Sequence, residues 1–131
     1  MEAAQALSEL TALSTQVTAA LVLGEDGSPA AATVDDERAR ELAQAVSELV
    51  AAAARAADRD RSALAQLEVS TPAGSVFVVR DGRRTIAATT TPEPPAGLVF
   101  YDLKTCLRGI AGEPKPRPTP RPRKKARDGA A

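Results

Sequence analysis

The side chains able to do chemistry in this 131-residue chain are few, and their spacing assembles no catalytic set. Histidine is absent and Cys106 is the single cysteine, which removes imidazole acid–base chemistry, an internal disulfide and the usual zinc or haem ligand sets. Two acidic pairs, Glu25-Asp26 and Asp35-Asp36, have the right type for general acid–base work or a cation site. Each also stands where a turn or a helix start calls for a carboxylate, with Asp35 as N-cap and Asp36 complementing the helix dipole. Cys106 falls in an apolar helical stripe, so a buried, inert thiol is expected rather than a redox nucleophile. No Gly-rich phosphate loop and no nucleophile elbow occur, and Gly24-x-x-Gly27 belongs to a hairpin. The expectation is a protein that is not an enzyme and carries no cofactor and no metal. Arg59, Arg61, Arg83 and Arg84 fall on predicted loops; they are of the type that could enter a partner's active site as a finger, with solvated loop charge as the simpler reading.

With little chemistry to position, the elements themselves become the main information. About 110 residues before a basic tail suffice for one hydrophobic core. The division is placed at residues 1–112 for the domain and 113–131 for the tail. That tail carries seven of the 17 Lys/Arg and two of the 17 Asp/Glu, so a formal net charge of zero hides an acidic body joined to a basic end. No basic leader and no apolar run of membrane-spanning length is visible, which predicts a cytoplasmic protein. Abundant alanine, and 13 arginines against 4 lysines, read as a GC-rich bacterial genome.

Along the chain, Glu2 to Ser14 places Leu7, Leu10 and Leu13 on one predicted helical stripe. Thr15 to Gly24 is β-branched and apolar, with Val17, Ala19, Leu21 and Leu23 on one face and Ala20 and Val22 on the other, the pattern of a strand covered on both sides. Asp26-Gly27 is expected as a two-residue turn into Pro29 to Val34, an edge strand because proline cannot donate to a ladder. A long helix follows from Asp36, its apolar positions Ala39, Leu42, Ala43, Val46, Leu49, Val50, Ala53 and Ala57 keeping helical spacing. Three runs, Leu64 to Thr71, Gly74 to Arg80 and Arg83 to Thr90, are joined by the short turns Pro72-Ala73-Gly74 and Asp81-Gly82 and so form antiparallel hairpins. Val76-Phe77-Val78-Val79 is apolar on both faces and should be central, whereas Leu67 and Val69 alternate with polar Gln66, Glu68 and Ser70. A last helix from Ala96 to Ile110 presents Val99, Leu103, Cys106, Leu107 and Ile110 on one side, with Gly112 and Pro114 stopping it. The fold class is therefore α+β: a five-stranded antiparallel sheet with three helices, in the order αββαβββα, and the long second helix on one face.

The tail alternates proline with Lys115, Arg117 and Arg121, then runs through Arg123, Lys124, Lys125 and Arg127. Proline at alternate positions forbids helix and sheet and favours an extended chain, and its two-residue period does not match the Pro-x-x-Pro pattern read by SH3-type grooves. A solvated tether is one reading. The other is electrostatic contact with an anionic surface or with nucleic acid, non-specific because no aromatic residue is available to stack on bases.

The order of elements, together with Ala19-Ala20-Leu21-Val22-Leu23-Gly24-Glu25-Asp26-Gly27, the Ala-rich helix from Asp36 to Ala57 and the Val76-Phe77-Val78-Val79 hairpin opposite Ile86-Ala87, resembles the Roadblock/dynein light-chain family. The likeness runs from about Ala4 to Ile110. It implies a homodimer or heterodimer whose sheets join through the third strand while the second helices pack together. Leu42, Val46, Leu49, Ala53, Leu67, Glu68 and Val69 would then form the interface. It further implies the role of bacterial members: a non-catalytic adaptor or regulator of a small Ras-like GTPase. The alternatives are a structural scaffold subunit without effect on nucleotide turnover, and a nucleic-acid accessory protein acting through its tail.

Overall fold

A computed structural model describes residues 1–59 and 65–110. Leu64, Arg61, the domain boundary at Gly112 and all seven tail cations lie outside the described residues. The elements are α1 (Ala3–Leu13), β1 (Val17–Leu23), β2 (Pro29–Ala32), α2 (Asp36–Ala56), β3 (Gln66–Thr71), β4 (Gly74–Asp81), β5 (Arg84–Thr90) and α3 (Ala96–Ile110). Every strand pairing is antiparallel, and the sheet order is β2-β1-β5-β4-β3. The expected α+β class, element order and proline-marked edge strand are all present. Val76–Val79 lies in an interior strand as expected, although the middle position belongs to β5.

The sheet lies between two unequal helical layers. On one face α1 and α3 cover Ala20, Val22, Phe77, Val79, Ile86 and Ala88, closing a core in which Phe77 and Phe100 meet edge to face with centroids 5.0 Å apart. On the other face α2 alone covers Leu21, Leu23, Val78 and Ala87 through Ala43, Val46 and Val50. The start of α2 is set by Asp35, whose carboxylate accepts a hydrogen bond from the Arg38 N–H at 2.8 Å. At the start of α3, the Pro95 carbonyl accepts from the N–H groups of Leu98 and Val99, as proline's fixed φ allows at a helix start.

Three expectations about which face a residue takes need correction, each for a geometric reason. Leu13 is 75% exposed rather than buried with Leu7 and Leu10. Six residues beyond Leu7 is about 600° of helix rotation, so a strict three-residue spacing drifts off the buried face, and Ala6 fills the stripe instead. Val17 packs with Ala20 and Val22 on the α1/α3 side rather than with Leu21 and Leu23. The register between β1 and β5 shifts between Val17 and Ala19, and this bulge at Thr18 inverts the alternation. Ala57 is exposed, since the helix ends at Ala56 and Ala57 is its C-cap.

The turns differ as well. Asp26-Gly27 is part of a three-residue loop in which only Gly27 has a positive φ, +84°. The Asp26 carboxylate accepts from the Ser28 N–H at 3.0 Å and the Ser28 hydroxyl at 2.7 Å, and the Gly27 N–H bonds the Gly24 carbonyl at 3.0 Å, which fixes a turn followed by a glycine bulge. In the β4–β5 hairpin Asp81 pairs with Arg84, so the turn residues are Gly82 and Arg83, with Gly82 at φ +60°.

Candidate self-association surface

The open face follows from widths. A helix with its side chains is about 10 to 12 Å across and strands lie about 4.8 Å apart, so one helix covers roughly half of a five-stranded sheet. The helix α2 packs chiefly over β1 and β2. On the same face, toward β4 and β3, Val76 and Leu67 are only half-buried, and from α2 the side chains Leu42 and Leu49 are likewise half-buried. Between them runs an apolar groove of about 100 Å³, lined by Leu21, Leu42, Ala45, Leu49, Val76 and Ala87 among others. Ala53 continues the half-buried ridge of α2 one turn beyond Leu49.

The third strand borders this groove and, among the described residues, ends the sheet, pairing only with β4. Leu67 lies opposite Val78 and Val69 opposite Val76, which puts both on the α2 face, whereas Glu68 lies opposite Phe77 and therefore on the other face. Of the seven residues expected at an interface, Leu42, Leu49, Leu67 and Val69 share one side of the sheet with Ala53. Val46 is 4% exposed and belongs to the core beneath the ridge. Glu68 is exposed at the strand edge. Ala45 and Val76 were not expected at the groove: alanine carries no signal in an alanine-rich helix, and Val76 stands in a run apolar on both faces.

The acidic pairs are occupied structurally. Asp35 caps α2, and Asp26 holds Ser28; the Ser28 N–H first and its hydroxyl second keep the Asp26 carboxyl below its ordinary value. Glu25 lies 3.9 Å from Arg83, an exposed pair of little energetic weight. Arg83 joins Arg80 and Glu25 at the rim of an open cleft of about 530 Å³ beside α2, but Arg59 does not line it, its guanidinium bonding the Asp58 carbonyl at 3.3 Å. The described arginines proposed as fingers are thus not gathered in one place. Cys106 is buried beside a small cavity between α1 and α3; burial first, then the Glu9 charge, pushes its thiol up to about 11. Among the described residues no three His, Cys, Asp or Glu side chains cluster as a metal site would require, and no helix is long and apolar enough to cross a membrane.

Comparison with known proteins gives a consistent result. A Roadblock/LC7 domain from Streptomyces avermitilis superposes with a TM-score of 0.73 at 19% identity, covering 83% of this chain and 94% of that one. Myxococcus xanthus MglB follows with a TM-score of 0.67 at 15% identity, over 85% of this chain and 88% of its own. Profilin IB of Acanthamoeba castellanii shares the fold more distantly, with a TM-score of 0.55 at 18% identity over 86% and 98% of the two chains. A search of curated protein sequences returns no match. The family model described as the Roadblock/LC7 domain matches residues 3–91, from α1 through the whole sheet and the helix that half-covers it, and the chain therefore belongs to the Roadblock/LC7 family.

Proposed function

We propose that this protein is a non-catalytic, dimeric regulator of a small Ras-like GTPase. The observation that supports it best is the half-covered face formed by α2, β4 and the free edge of β3. A second copy related by a twofold axis offers the same ridge and the same edge, so each copy's α2 covers the other's bare strands and the two β3 edges meet. Similarity to MglB proteins, one of them described in a tetrameric arrangement, is in keeping with self-association. With no phosphate loop of its own, the protein acts on nucleotide turnover only through a partner, by inserting an arginine or by ordering the partner's catalytic loop.

Sedimentation equilibrium is the first test, and a concentration-dependent dimer mass is expected. A monomer mass at all concentrations would sink the proposal. The second test is GTP hydrolysis by a Ras-like GTPase that co-purifies with the protein. Stimulation or inhibition supports a regulator; unchanged turnover in a stable complex identifies a scaffold subunit instead.

A further inference from the structure

The outer edge of β3 has a set pattern of backbone groups, and that pattern follows from the hydrogen bonds on its inner side. The Arg80 N–H donates to the Ala65 carbonyl at 2.8 Å, and the register sets Gln66 opposite Val79, so Ala65 and Arg80 stand directly opposite as a hydrogen-bonded pair. Such pairs recur at every second residue of an antiparallel ladder. Leu67, Val69 and Thr71 therefore direct their backbone groups to β4, while Gln66, Glu68 and Ser70 turn N–H and C=O toward the outer edge. Side chains alternate in step. Leu67 and Val69 are half-buried on the α2 face, and Gln66, Glu68 and Ser70 are exposed on the other.

Two copies that meet through this edge can pair only where outward residues face outward residues. A slide of one residue sets outward groups against inward ones, so the permitted registers differ by steps of two. With Glu68 opposite Glu68 of the second copy, Gln66 meets Ser70 and Ser70 meets Gln66, which gives three pairs of two hydrogen bonds each. These are all that the edge offers between Gln66 and Ser70. A shift one way carries Ser70 beyond the start of the other β3, and a shift the other way sets Gln66 against Pro72, which has no N–H. Either shift leaves only two pairs within the strands. The centred register also sets Leu67 opposite Val69 of the second copy on the α2 face, at the closer spacing of about 4.5 Å between α-carbons where side chains touch.

We infer that self-association of this chain takes the register centred on Glu68, so that two Glu68 carboxylates face each other across the twofold axis and limit the strength of the dimer. This rests on the dimer reading above and adds to it a register and the residue that holds affinity down. In a hydrogen-bonded pair the α-carbons lie about 5.5 Å apart and both side chains leave the same face, so the two charges cannot turn to opposite sides of the sheet. Among the described residues no cation relieves them. Glu68 makes no ion pair there, its carboxylate accepts from the Ser70 hydroxyl at 3.3 Å, and Lys104 and Arg108 of α3 line a cleft with Gln66 that Glu68 does not line. Like charges directly opposed weaken strand pairing, and opposite charges strengthen it. The edge therefore accepts a second copy, and accepts more tightly a copy with a cation at this position.

Cysteine cross-linking of the full chain reads the register directly, and Cys106, being buried, does not compete. Opposed α-carbons about 5.5 Å apart lie within disulfide reach, whereas residues two positions out of step do not. Under mild oxidation Glu68→Cys should link to itself. Leu67→Cys and Val69→Cys should each stay unlinked alone, and a mixture of the two should link. Self-linking of Leu67→Cys or of Val69→Cys without that of Glu68→Cys assigns a shifted register and overturns the proposal. Sedimentation equilibrium reads the charge. Glu68→Gln should tighten the dimer about three- to fivefold, and an equimolar mixture of the parent chain with Glu68→Lys should hold mixed dimer at about tenfold above the statistical amount. Unchanged or weaker association of Glu68→Gln, or a merely statistical mixture, overturns the role given to the carboxylates. A dimer that fails these tests leaves the dimer reading standing; a chain that stays monomeric with and without Glu68→Gln overturns both.

Discussion

The two faces of the sheet are built from similar residues yet reach different ends. Two helices over five strands close the α1/α3 face, where Phe77, Ile86 and Leu103 are fully buried. One helix over the same five strands leaves the α2 face with Leu42, Leu49, Leu67 and Val76 half in solvent. Helix count against strand count, more than the hydrophobicity of any segment, decides which face is finished within the chain. The closed face still carries exposed apolar residues, but they stand on its outer helical surface rather than on the sheet.

This contrast can be broken by substitution. Phe77→Ala empties the closed core and removes the edge-to-face contact with Phe100, so it should cost about 3 to 5 kcal/mol in urea unfolding. A loss below about 1 kcal/mol would mean that the closed face is loosely packed. Leu49→Asp on the open face should raise the dissociation constant of the proposed dimer by about 30-fold or more, a change of roughly 2 kcal/mol, since each copy would place a carboxylate in an apolar contact. The stability of the separated subunit should fall by less, and the reverse ranking would move Leu49 into the core. Asp35→Ala removes the cap of the helix that half-covers the open face and should cost about 1 kcal/mol by thermal unfolding.

The smallest effect is a pH dependence on the closed face. Burial raises the Asp102 carboxyl above its ordinary 3.8, and the Ser14 hydroxyl offsets this in part. The folded chain then holds this proton more tightly than the unfolded one. Its stabilising contribution is complete below 3.8 and is lost as pH rises through the higher folded value. Asp102→Asn should therefore gain on the parent protein as pH climbs above about 4, measured by denaturation at a series of pH values. A gain that grows on acidification would reverse the assignment.

Much of this arrangement was legible in the residues. Spacing placed α2 and α3, Asp35 marked a helix start, Pro29 marked an edge, and polar alternation in β3 marked a strand with one wet face. What escaped was phase. A single bulged residue at Thr18 moved Val17 to the other side, and a carboxylate bonding to Ser28 turned an expected two-residue turn into three. Such events leave no periodic trace. The open groove was also hidden, because it is a property of how far a helix reaches across a sheet.

The hairpin between β3 and β4 has a consequence for motion. Gly74 stands at φ +152° with the Thr90 carbonyl so near that a side-chain carbon has no room, which ties the start of β4 closely to β5. Beyond that tie, among the described residues, β3 has one neighbour and no helix laid mainly across it, whereas the opposite edge, β2, is held by both α1 and α2. The two borders of one sheet should therefore open at different free energies, and amide hydrogen exchange will see β3 released first. A strand that exchanges quickly in the lone subunit and slowly at high concentration would act as a gauge of how often its edge is occupied.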